Sequence, residues 1–158
     1  MNFLRRIKIN NLSNNKKIKP SFDNIKLSKR DNSFLNFVKY YNVIICGSFA
    51  LRLYGLLKRR NKDYDVIITK KQLSHIKKSN LISLDTSYRE KNKNLLFVGK
   101  INKLNICLFL YKNTKYTYTD IYKIDNIFNI LKCKLSILDR KKDKKDLLKI
   151  EKLFNELN

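Results

Sequence analysis

The sequence predicts an α/β domain built on a small mixed β-sheet, with helices at its C-terminal end and a basic arm before it. Two observations carry this prediction. Short apolar runs typical of strands alternate with segments of helical spacing, and the last part of the chain holds helical patterns alone. A chain of 158 residues, 43% of them hydrophobic, suits one domain with a sizeable core. No stretch of about 18 apolar residues offers a membrane span.

Residues 1–30 are predicted to form the basic arm, and residues 31–158 the domain. The arm contains the only proline of the chain, Pro20, little hydrophobic periodicity and a single acid, Asp23. Its many Lys and Arg side chains suit a polyanionic partner on which the arm becomes ordered. An uncleaved, transit-like amphipathic leader is the alternative interpretation.

The first half of the domain alternates between helix and strand patterns. Phe34, Phe37, Val38 and Tyr41 have the i, i+3, i+4, i+7 spacing of one helix face. The predicted N-cap of this helix is Asp31 or Ser33. The run VIIC at 43–46 predicts a buried strand, and a helix follows it. DYDVIIT at 63–69 predicts a second strand, and KKQLSHIKKS at 70–79 predicts a polar helix.

The second half begins with strands and ends in helices. The segments 95–101 and 104–111 are rich in β-forming residues and predict a hairpin joined at 102–103. The stretch KYTYTDIYKI at 115–124 is ambiguous between strand and loop. The segments 125–138 and 139–157 predict two helices with a strongly charged joint between them.

The charge balance favours a nucleic-acid partner. The chain has 36 Lys and Arg against 13 Asp and Glu, a net charge of +23. An A+T-rich genome raises the frequency of Lys but does not explain why acids are so scarce. RNA is the expected partner, and an anionic membrane surface is second. Tyr40, Tyr41, Tyr116 and Tyr118 are candidates for stacking on unpaired bases. The basic residues expected to contact RNA are Arg5, Arg6, Lys16, Lys17, Lys19, Lys58, Arg59, Arg60, Lys62, Arg140, Lys141, Lys142, Lys144 and Lys145.

Cysteine usage indicates a reducing compartment. Cys46, Cys107 and Cys133 lie in largely apolar stretches without a C-x-x-C pair, which predicts three reduced, buried thiols. His75 is the only histidine, so a zinc site is not expected. We expect an intracellular location, either the matrix of a mitochondrion or another organelle, or the cytoplasm of a bacterium with an A+T-rich genome.

Two short motifs carry the chemistry. Gly47-Ser48 lies between a strand and a helix, where backbone N–H groups face a phosphate. Asp63 and Asp65 alternate along a strand, so both carboxylates lie on one face and Tyr64 lies on the other. Two adjacent carboxylates suit a magnesium ion whose shell is completed by triphosphate oxygens, as in phosphoryl or nucleotidyl transfer.

The order of these motifs resembles the signature of the polymerase-β-type nucleotidyltransferase superfamily, and most closely its AbiEii-like branch. The resemblance rests on Gly47-Ser48-Phe49-Ala50-Leu51 and on Arg59-x-Asn61-x-Asp63-x-Asp65, with Asn61 in place of the usual Ser or Thr. Lys134, Arg140 and Asp146 match the helical segment of that branch, and the resemblance covers residues 34–156. It implies a sheet of nucleotidyltransferase type, with Gly47 and Ser48 at the nucleotide and Asp63 and Asp65 at magnesium.

The sequence departs from the family at the third carboxylate. The superfamily places an Asp on a later strand, where it binds metal and helps to deprotonate the attacking hydroxyl. The matching strand here places Asn105 at that position, and an amide cannot accept the proton. Loss of a general base costs about 10²–10⁴-fold in rate. Asp120 is the alternative third carboxylate, if 115–124 is the relevant strand.

Two functions follow from these observations. The favoured one is a non-catalytic RNA-binding subunit of a ribonucleoprotein such as an organellar (mitochondrial) ribosome, with ribosomal RNA and neighbouring proteins as partners and no cofactor. The alternative is an active nucleotidyltransferase that uses magnesium and a nucleoside triphosphate to modify RNA, for example tRNA as a toxin-type enzyme. Asp63, Asp65 and Asn105 are its catalytic candidates. A membrane-surface binder is a third, weaker possibility, because the basic leader has no clear apolar face.

Overall fold

The computed structural model describes residues 18–80, 83–89, 95–101, 103–111, 114–136 and 141–156. The arm residues Arg5, Arg6, Lys16 and Lys17, and Arg140 at the joint, lie outside these ranges. Within the described ranges, no helix combines the length and the hydropathy needed to cross a membrane.

A mixed β-sheet organises the molecule, as the sequence predicts. Its strands are β1 Ile44–Cys46, β2 Asp63–Ile68, β3 Ser83–Arg89, β4 Leu95–Ile101, β5 Leu104–Leu110, β6 Tyr116–Thr119 and β7 Tyr122–Asp125. They form one seven-stranded sheet in the described residues, in the order β3-β4-β5-β2-β1-β7-β6. The pairs β2–β5 and β1–β7 are parallel, and the other pairs are antiparallel. The predicted hairpin is β4–β5. The ambiguous segment also forms a hairpin, β6–β7.

Helices follow the strands where helical spacing predicts them. They are α1 Lys29–Tyr41, α2 Gly47–Leu53, α3 Lys70–Lys78, α4 Ile127–Ser136 and α5 Lys141–Glu156, and a 3-10 helix spans Phe22–Asn24. The predicted N-cap of α1 is wrong. Ser28 caps the helix: its hydroxyl accepts from the Asp31 N–H at 3.2 Å, and the Asp31 carboxylate accepts from the Ser28 N–H at 2.8 Å. This reciprocal capping box satisfies two backbone donors at once, which a single cap at Asp31 or Ser33 does not do.

The core lies between one face of the sheet and the helices. The predicted face of α1 is fully buried, and Phe34 stacks on Tyr64 of β2 with ring centroids 4.4 Å apart. Part of the predicted arm also contacts this core, because Ile18, Phe22, Ile25 and Leu27 pack against it. The predicted boundary at residue 30 thus falls inside α1. The arm itself stays a prediction, since residues 1–17 lie outside the described ranges.

The cysteines differ in their exposure. All three are thiols outside any disulfide, with Cys46 buried, Cys107 half-buried and Cys133 exposed. The prediction of three buried thiols is therefore wrong for Cys133. The reason is helical periodicity: α4 buries Ile130, Leu131 and Lys134, which turns the intervening Cys133 outward.

Candidate functional site

Strand register brings the sequence-predicted polar residues together. Cys46 at the end of β1 pairs with Asp65 of β2, and Asp63 of β2 pairs with Asn105 of β5. Directly paired residues project to the same face of a sheet. Asp63, Asp65 and Asn105 therefore share one face, which we call the carboxylate face. It lies opposite the face on which Tyr64 is buried with 1% exposure.

Gly47 is required where β1 turns into α2. Its φ is +62°, a left-handed conformation that favours glycine. A Cβ built on it would lie 2.0 Å from Oδ2 of Asp65, closer than any real contact. Gly47 thus lets the Asp65 carboxylate lie directly against the first turn of α2, and no other residue type fits there.

The Asp65 carboxylate is perturbed by its surroundings. Burial, followed by the negative charge of Asp63, raises the pKa of Asp65 to about 6, and Lys134 partly offsets this rise. The Asp63 side chain is 46% exposed and open to solvent. A half-buried carboxylate beside a second one is stabilised in its charged form by a cation placed between them.

A magnesium ion fits this pair only in part. Mg²⁺ is commonly bound through one or two carboxylates with substrate phosphates completing its shell, and Asp63 and Asp65 would supply the protein ligands. No group of three or more carboxylate, thiol or imidazole side chains in the described ranges is arranged to hold a metal. Asn105 adds a neutral amide. The alternative at Asp120 is wrong, because Asp120 lies in the β6–β7 turn, across β1 from β2.

A buried ion-pair network joins the C-terminal helices to this site. Arg59 donates to both carboxylate oxygens of Asp146, at 3.1 and 2.7 Å, and to Oγ of Ser48 at 3.1 Å. Lys134 Nζ donates to Asp143 at 2.8 Å and to Asp146 at 3.2 Å. Burial opposes ionisation of Asp146, but the donors from Arg59 and Lys134 outweigh it and lower the pKa of Asp146. Lys134 and Asp146, implied by the resemblance, thus meet Ser48 through Arg59.

A second buried network was not predicted from the sequence. The Arg52 guanidinium, in a residue only 5% exposed, donates to Asp31 at 3.1 Å and to Oδ1 of Asn61 at 3.0 Å. The Tyr64 hydroxyl donates to the same Asp31 oxygen at 2.9 Å. The signal was a charged residue inside the apolar run of α2, which indicates a buried partner.

Asn61 has a supporting place in that network. It is 6% exposed, and its Nδ2 donates to the carbonyl oxygen of Asp63 at 3.4 Å. This bond holds the start of β2, from which Asp63 and Asp65 project. Asn61 therefore lies inside the protein and positions the strand, whereas the family motif places a Ser or Thr near the phosphates.

Exposed basic side chains lie in the turn that leads into β2 and on α5, and one of them reaches Asp63 on the carboxylate face. The turn before β2 carries exposed Lys58, Arg60 and Lys62, and Lys142 Nζ at the start of α5 lies 3.9 Å from Oδ1 of Asp63. We call these residues, with the exposed Lys141, Lys144 and Lys145, the basic rim. Arg59, which was also expected to contact RNA, is half-buried and does not belong to the rim, since its guanidinium donates to Asp146 and Ser48. Lys19 is exposed as well.

The tyrosines expected to stack on bases separate into two groups. Tyr41 is 4% exposed and packs in the core, so that expectation is wrong for Tyr41. Tyr40, Tyr116 and Tyr118 are exposed. Tyr40 belongs to α1, which covers the face opposite the carboxylates, whereas Tyr116 and Tyr118 belong to the edge strand β6.

Comparison with known proteins identifies the fold. No protein-family model matches this chain, and no curated protein matches it significantly. A Thermotoga maritima protein assigned as a nucleotidyltransferase has a similar structure, with a TM-score of 0.50, 14% identity, and coverage of 79% of this chain and 94% of that one. The nucleotidyltransferase-like fold predicted from the motifs is therefore confirmed.

Two Helicobacter pylori structures also match, with lower TM-scores. One is the protein JHP933, with a TM-score of 0.39, 19% identity, and coverage of 70% of this chain and 58% of its own. The other is assigned as a nucleotidyltransferase, with a TM-score of 0.38, 19% identity and coverage of 69% and 59%. This chain thus spans less than two thirds of either H. pylori protein.

Proposed function

We propose that this chain is an RNA-binding protein on a nucleotidyltransferase-like fold, without catalytic transfer. One observation carries the proposal. Lys142 of the basic rim lies 3.9 Å from Asp63 and other rim residues occupy the turn that leads into β2, while the residue paired with Asp63 across the sheet is Asn105 and not a carboxylate. In this proposal the exposed cations bind a phosphate backbone, and the amide of Asn105 cannot accept the proton that an Asp in its place would take.

The physical basis of the binding is counterion release. Each cation that contacts a phosphate releases condensed counterions, so the affinity falls as salt rises, by a slope of about 0.7 per contact on a single strand. The net charge of +23 supplies long-range attraction. We therefore propose that the chain is a subunit of a ribonucleoprotein, because such an assembly suits the charge and does not need an active site. An organellar (mitochondrial) ribosome is the favoured example.

Charge reversal on the rim tests the RNA-binding proposal. A triple variant of Lys58, Arg60 and Lys62 to Glu is compared with a triple variant of Lys70, Lys71 and Lys78 to Glu, which changes the charge equally on exposed lysines of α3. The rim variant should bind RNA more weakly and with a salt slope lower by about 2, while the α3 variant keeps the wild-type slope. Equal slopes in the two variants would show that the rim makes no specific contribution.

Sedimentation tests the ribonucleoprotein proposal. In a gentle lysate of the source cells, the protein should travel with large particles and move to the top of the gradient after ribonuclease treatment. A protein that already stays at the top of the gradient before ribonuclease treatment is not part of such a particle. That outcome would refute the ribonucleoprotein proposal and leave the RNA-binding proposal intact.

A second candidate function is the active, magnesium-dependent nucleotidyltransferase. It is favoured by the fit of Asp65 against Gly47 and by the Ser48–Arg59–Asp146 connection, which together hold the nucleotide side of the site in place. A magnesium ion held by Asp63 and Asp65 would neutralise negative charge on the phosphates of the nucleotide. The basic rim would position the RNA acceptor.

Transfer assays separate the two candidates. Purified protein is incubated with magnesium, each labelled nucleoside triphosphate and RNA, together with Asp63→Asn and Asn105→Asp variants. The non-catalytic proposal expects no transfer by the wild type, and RNA binding that is unchanged in Asp63→Asn. Transfer by the wild type that Asp63→Asn abolishes would establish the enzyme instead. Transfer that appears only in Asn105→Asp would identify the missing carboxylate as the cause of inactivity.

A further inference from the structure

Two tyrosines stand exposed on the outermost strand of the sheet. Tyr116 and Tyr118 of β6 are 43% and 59% exposed, and their rings contact edge to face with centroids 5.5 Å apart. Lys123 of β7 places its ammonium 5.3 Å from the centre of the Tyr116 ring. The two rings are nearly perpendicular, at 84°, so each exposes its own aromatic surface, and the ammonium beside Tyr116 adds a positive charge.

The register places this pair on the carboxylate face. Tyr116 pairs with Asp125 and Tyr118 pairs with Lys123, while Lys123 pairs in turn with Ile44 of β1. Ile44 pairs with Ile67, on the same face of β2 as Asp65. Three strand spacings, about 14 Å in all, therefore separate the tyrosines from the strand of the carboxylates.

The surface between the two places is open only near Ile44 and Lys123, because Asp125 and Cys46 on the same face are buried. Ile44 and Lys123, which lie next to each other on this face, are both half-buried. Lys115, just before β6, is exposed and adds a second cation at this edge. Two acids lie nearby: Asp125, which is 3% exposed and pairs with Tyr116, and Asp120 in the exposed turn beyond β6.

We propose that Tyr116, Tyr118 and Lys123 form a docking site for unpaired nucleotides of RNA. The bases stack on the two phenol rings, and Lys123 and Lys115 contact the phosphates. This inference rests on the proposed RNA binding and specifies which form of RNA the edge of the sheet selects. Bases in a duplex are already stacked on each other, so only a single strand offers free faces to an aromatic platform.

The geometry also sets the path of the strand. A segment held at β6 and continuing along the carboxylate face reaches β2, the strand of Asp63 and Asp65, after about 14 Å, which is three strand spacings. The rim holds the backbone by charge and does not distinguish single strands from duplexes. The tyrosines supply that distinction.

Binding of a short single-stranded RNA tests the site. Fluorescence anisotropy compares a labelled single-stranded oligonucleotide with the same sequence in a duplex, using the full chain. The Tyr116→Ala/Tyr118→Ala variant should lose about 25-fold in affinity for the single strand, from about fivefold for each stacked base, and change little for the duplex. Tyr116→Phe/Tyr118→Phe should keep wild-type affinity, since a phenyl ring stacks as well. Ile121→Ala, which removes an exposed side chain without an aromatic ring from the β6–β7 turn, serves as the control and should have no effect.

The outcomes separate this inference from the proposed function. If the wild type binds neither RNA, both proposals fall. If the wild type binds RNA, and the rim variant weakens binding while Tyr116→Ala/Tyr118→Ala does not, the docking site is wrong and the proposed RNA binding stands. An equal loss for single strand and duplex also overturns the docking site.

A measurement on the wild type guards against a variant that fails to fold. A single strand carrying 5-iodouridine is crosslinked by light, and the attached peptide is identified by mass spectrometry. Crosslinks at Tyr116 or Tyr118 support the site. Crosslinks confined to other aromatic residues, or capture of a protein segment by this edge in place of RNA, overturn it.

Discussion

Substituting Gly47 by Ala should destabilise the protein more than the same substitution at Gly55, a glycine with a similar backbone conformation. Gly47 and Gly55 both have positive φ, +62° and +74°. At Gly55 an added Cβ meets only Asn24 at 3.5 Å, an ordinary contact, whereas at Gly47 it meets Asp65 Oδ2 at 2.0 Å. Gly55→Ala is therefore a matched control for the backbone term.

The expected magnitudes follow from these contacts. A left-handed Ala costs about 1–2 kcal/mol, which both variants share. Forcing the Asp65 side chain and its strand aside adds about 1–3 kcal/mol, as for overpacking elsewhere. Gly47→Ala should thus lower the free energy of unfolding by about 2–5 kcal/mol, and Gly55→Ala by about 1–2 kcal/mol, in urea unfolding followed by circular dichroism.

A double-mutant cycle identifies the cause. The three atoms nearest to the added Cβ all belong to the Asp65 side chain, so Asp65→Gly removes the obstacle. In that background Gly47→Ala should cost no more than Gly55→Ala, a coupling of about 1–3 kcal/mol. Equal costs of the two alanine variants in the wild-type background, or a Gly47→Ala cost that Asp65→Gly leaves unchanged, would refute the close contact between Asp65 and α2.

Three further predictions concern buried polar groups. Lys134→Met leaves the buried carboxylates of Asp143 and Asp146 without their ammonium and should lower the free energy of unfolding in urea by about 3–5 kcal/mol at pH 7. The loss should be smaller at pH 4, because carboxylates begin to protonate there. A loss that does not depend on pH would contradict this prediction. The pKa of Asp65, raised to about 6 from 3.8, means that the folded state holds this proton more tightly, so its contribution to stability falls as pH rises from about 4 to 6. Asp65→Asn removes the titrating group, so it should stabilise the protein more at pH 7 than at pH 4 when thermal unfolding of the variant and the wild type is compared at both pH values. The same effect of the substitution at pH 4 and pH 7 would count against the raised pKa of Asp65. Asn61→Ala removes an acceptor from the buried arginine of α2 and should cost about 1–3 kcal/mol in thermal unfolding, whereas a loss under 0.5 kcal/mol would place Asn61 outside that network.

Local patterns in the sequence were sufficient for most of the fold. The helical spacing of Phe34, Phe37, Val38 and Tyr41 and the apolar runs of β1 and β2 each record the surface that one element buries, so they can be recognised without their neighbours. The β6–β7 segment was ambiguous because most of its β-forming residues are exposed or half-buried near the edge of the sheet, so no run of buried apolar residues marks it as a strand.

The N-cap of α1 and the exposure of Cys133 were predicted wrongly for a related reason. Asp31 and Ser33 are good capping residues by type, yet the reciprocal bonds between Ser28 and Asp31 decide where the helix begins. Cys133 sits in an apolar stretch, but the face that α4 buries depends on how α4 packs against its neighbours. Residue type alone does not contain that information.

The chain alone predicts the alternation of strands and helices, the excess of positive charge and the order of Gly47, Ser48, Asp63 and Asp65, because each of these depends on residues close together in sequence. Which distant residues meet is known only from the folded structure. It paired Asp63 with Asn105, joined Arg59 to Asp146 across 87 positions, and placed Tyr116 and Tyr118 on the carboxylate face. The physical reason is that strand register and helix packing are set by burial summed over the whole sheet, and no local pattern records that sum.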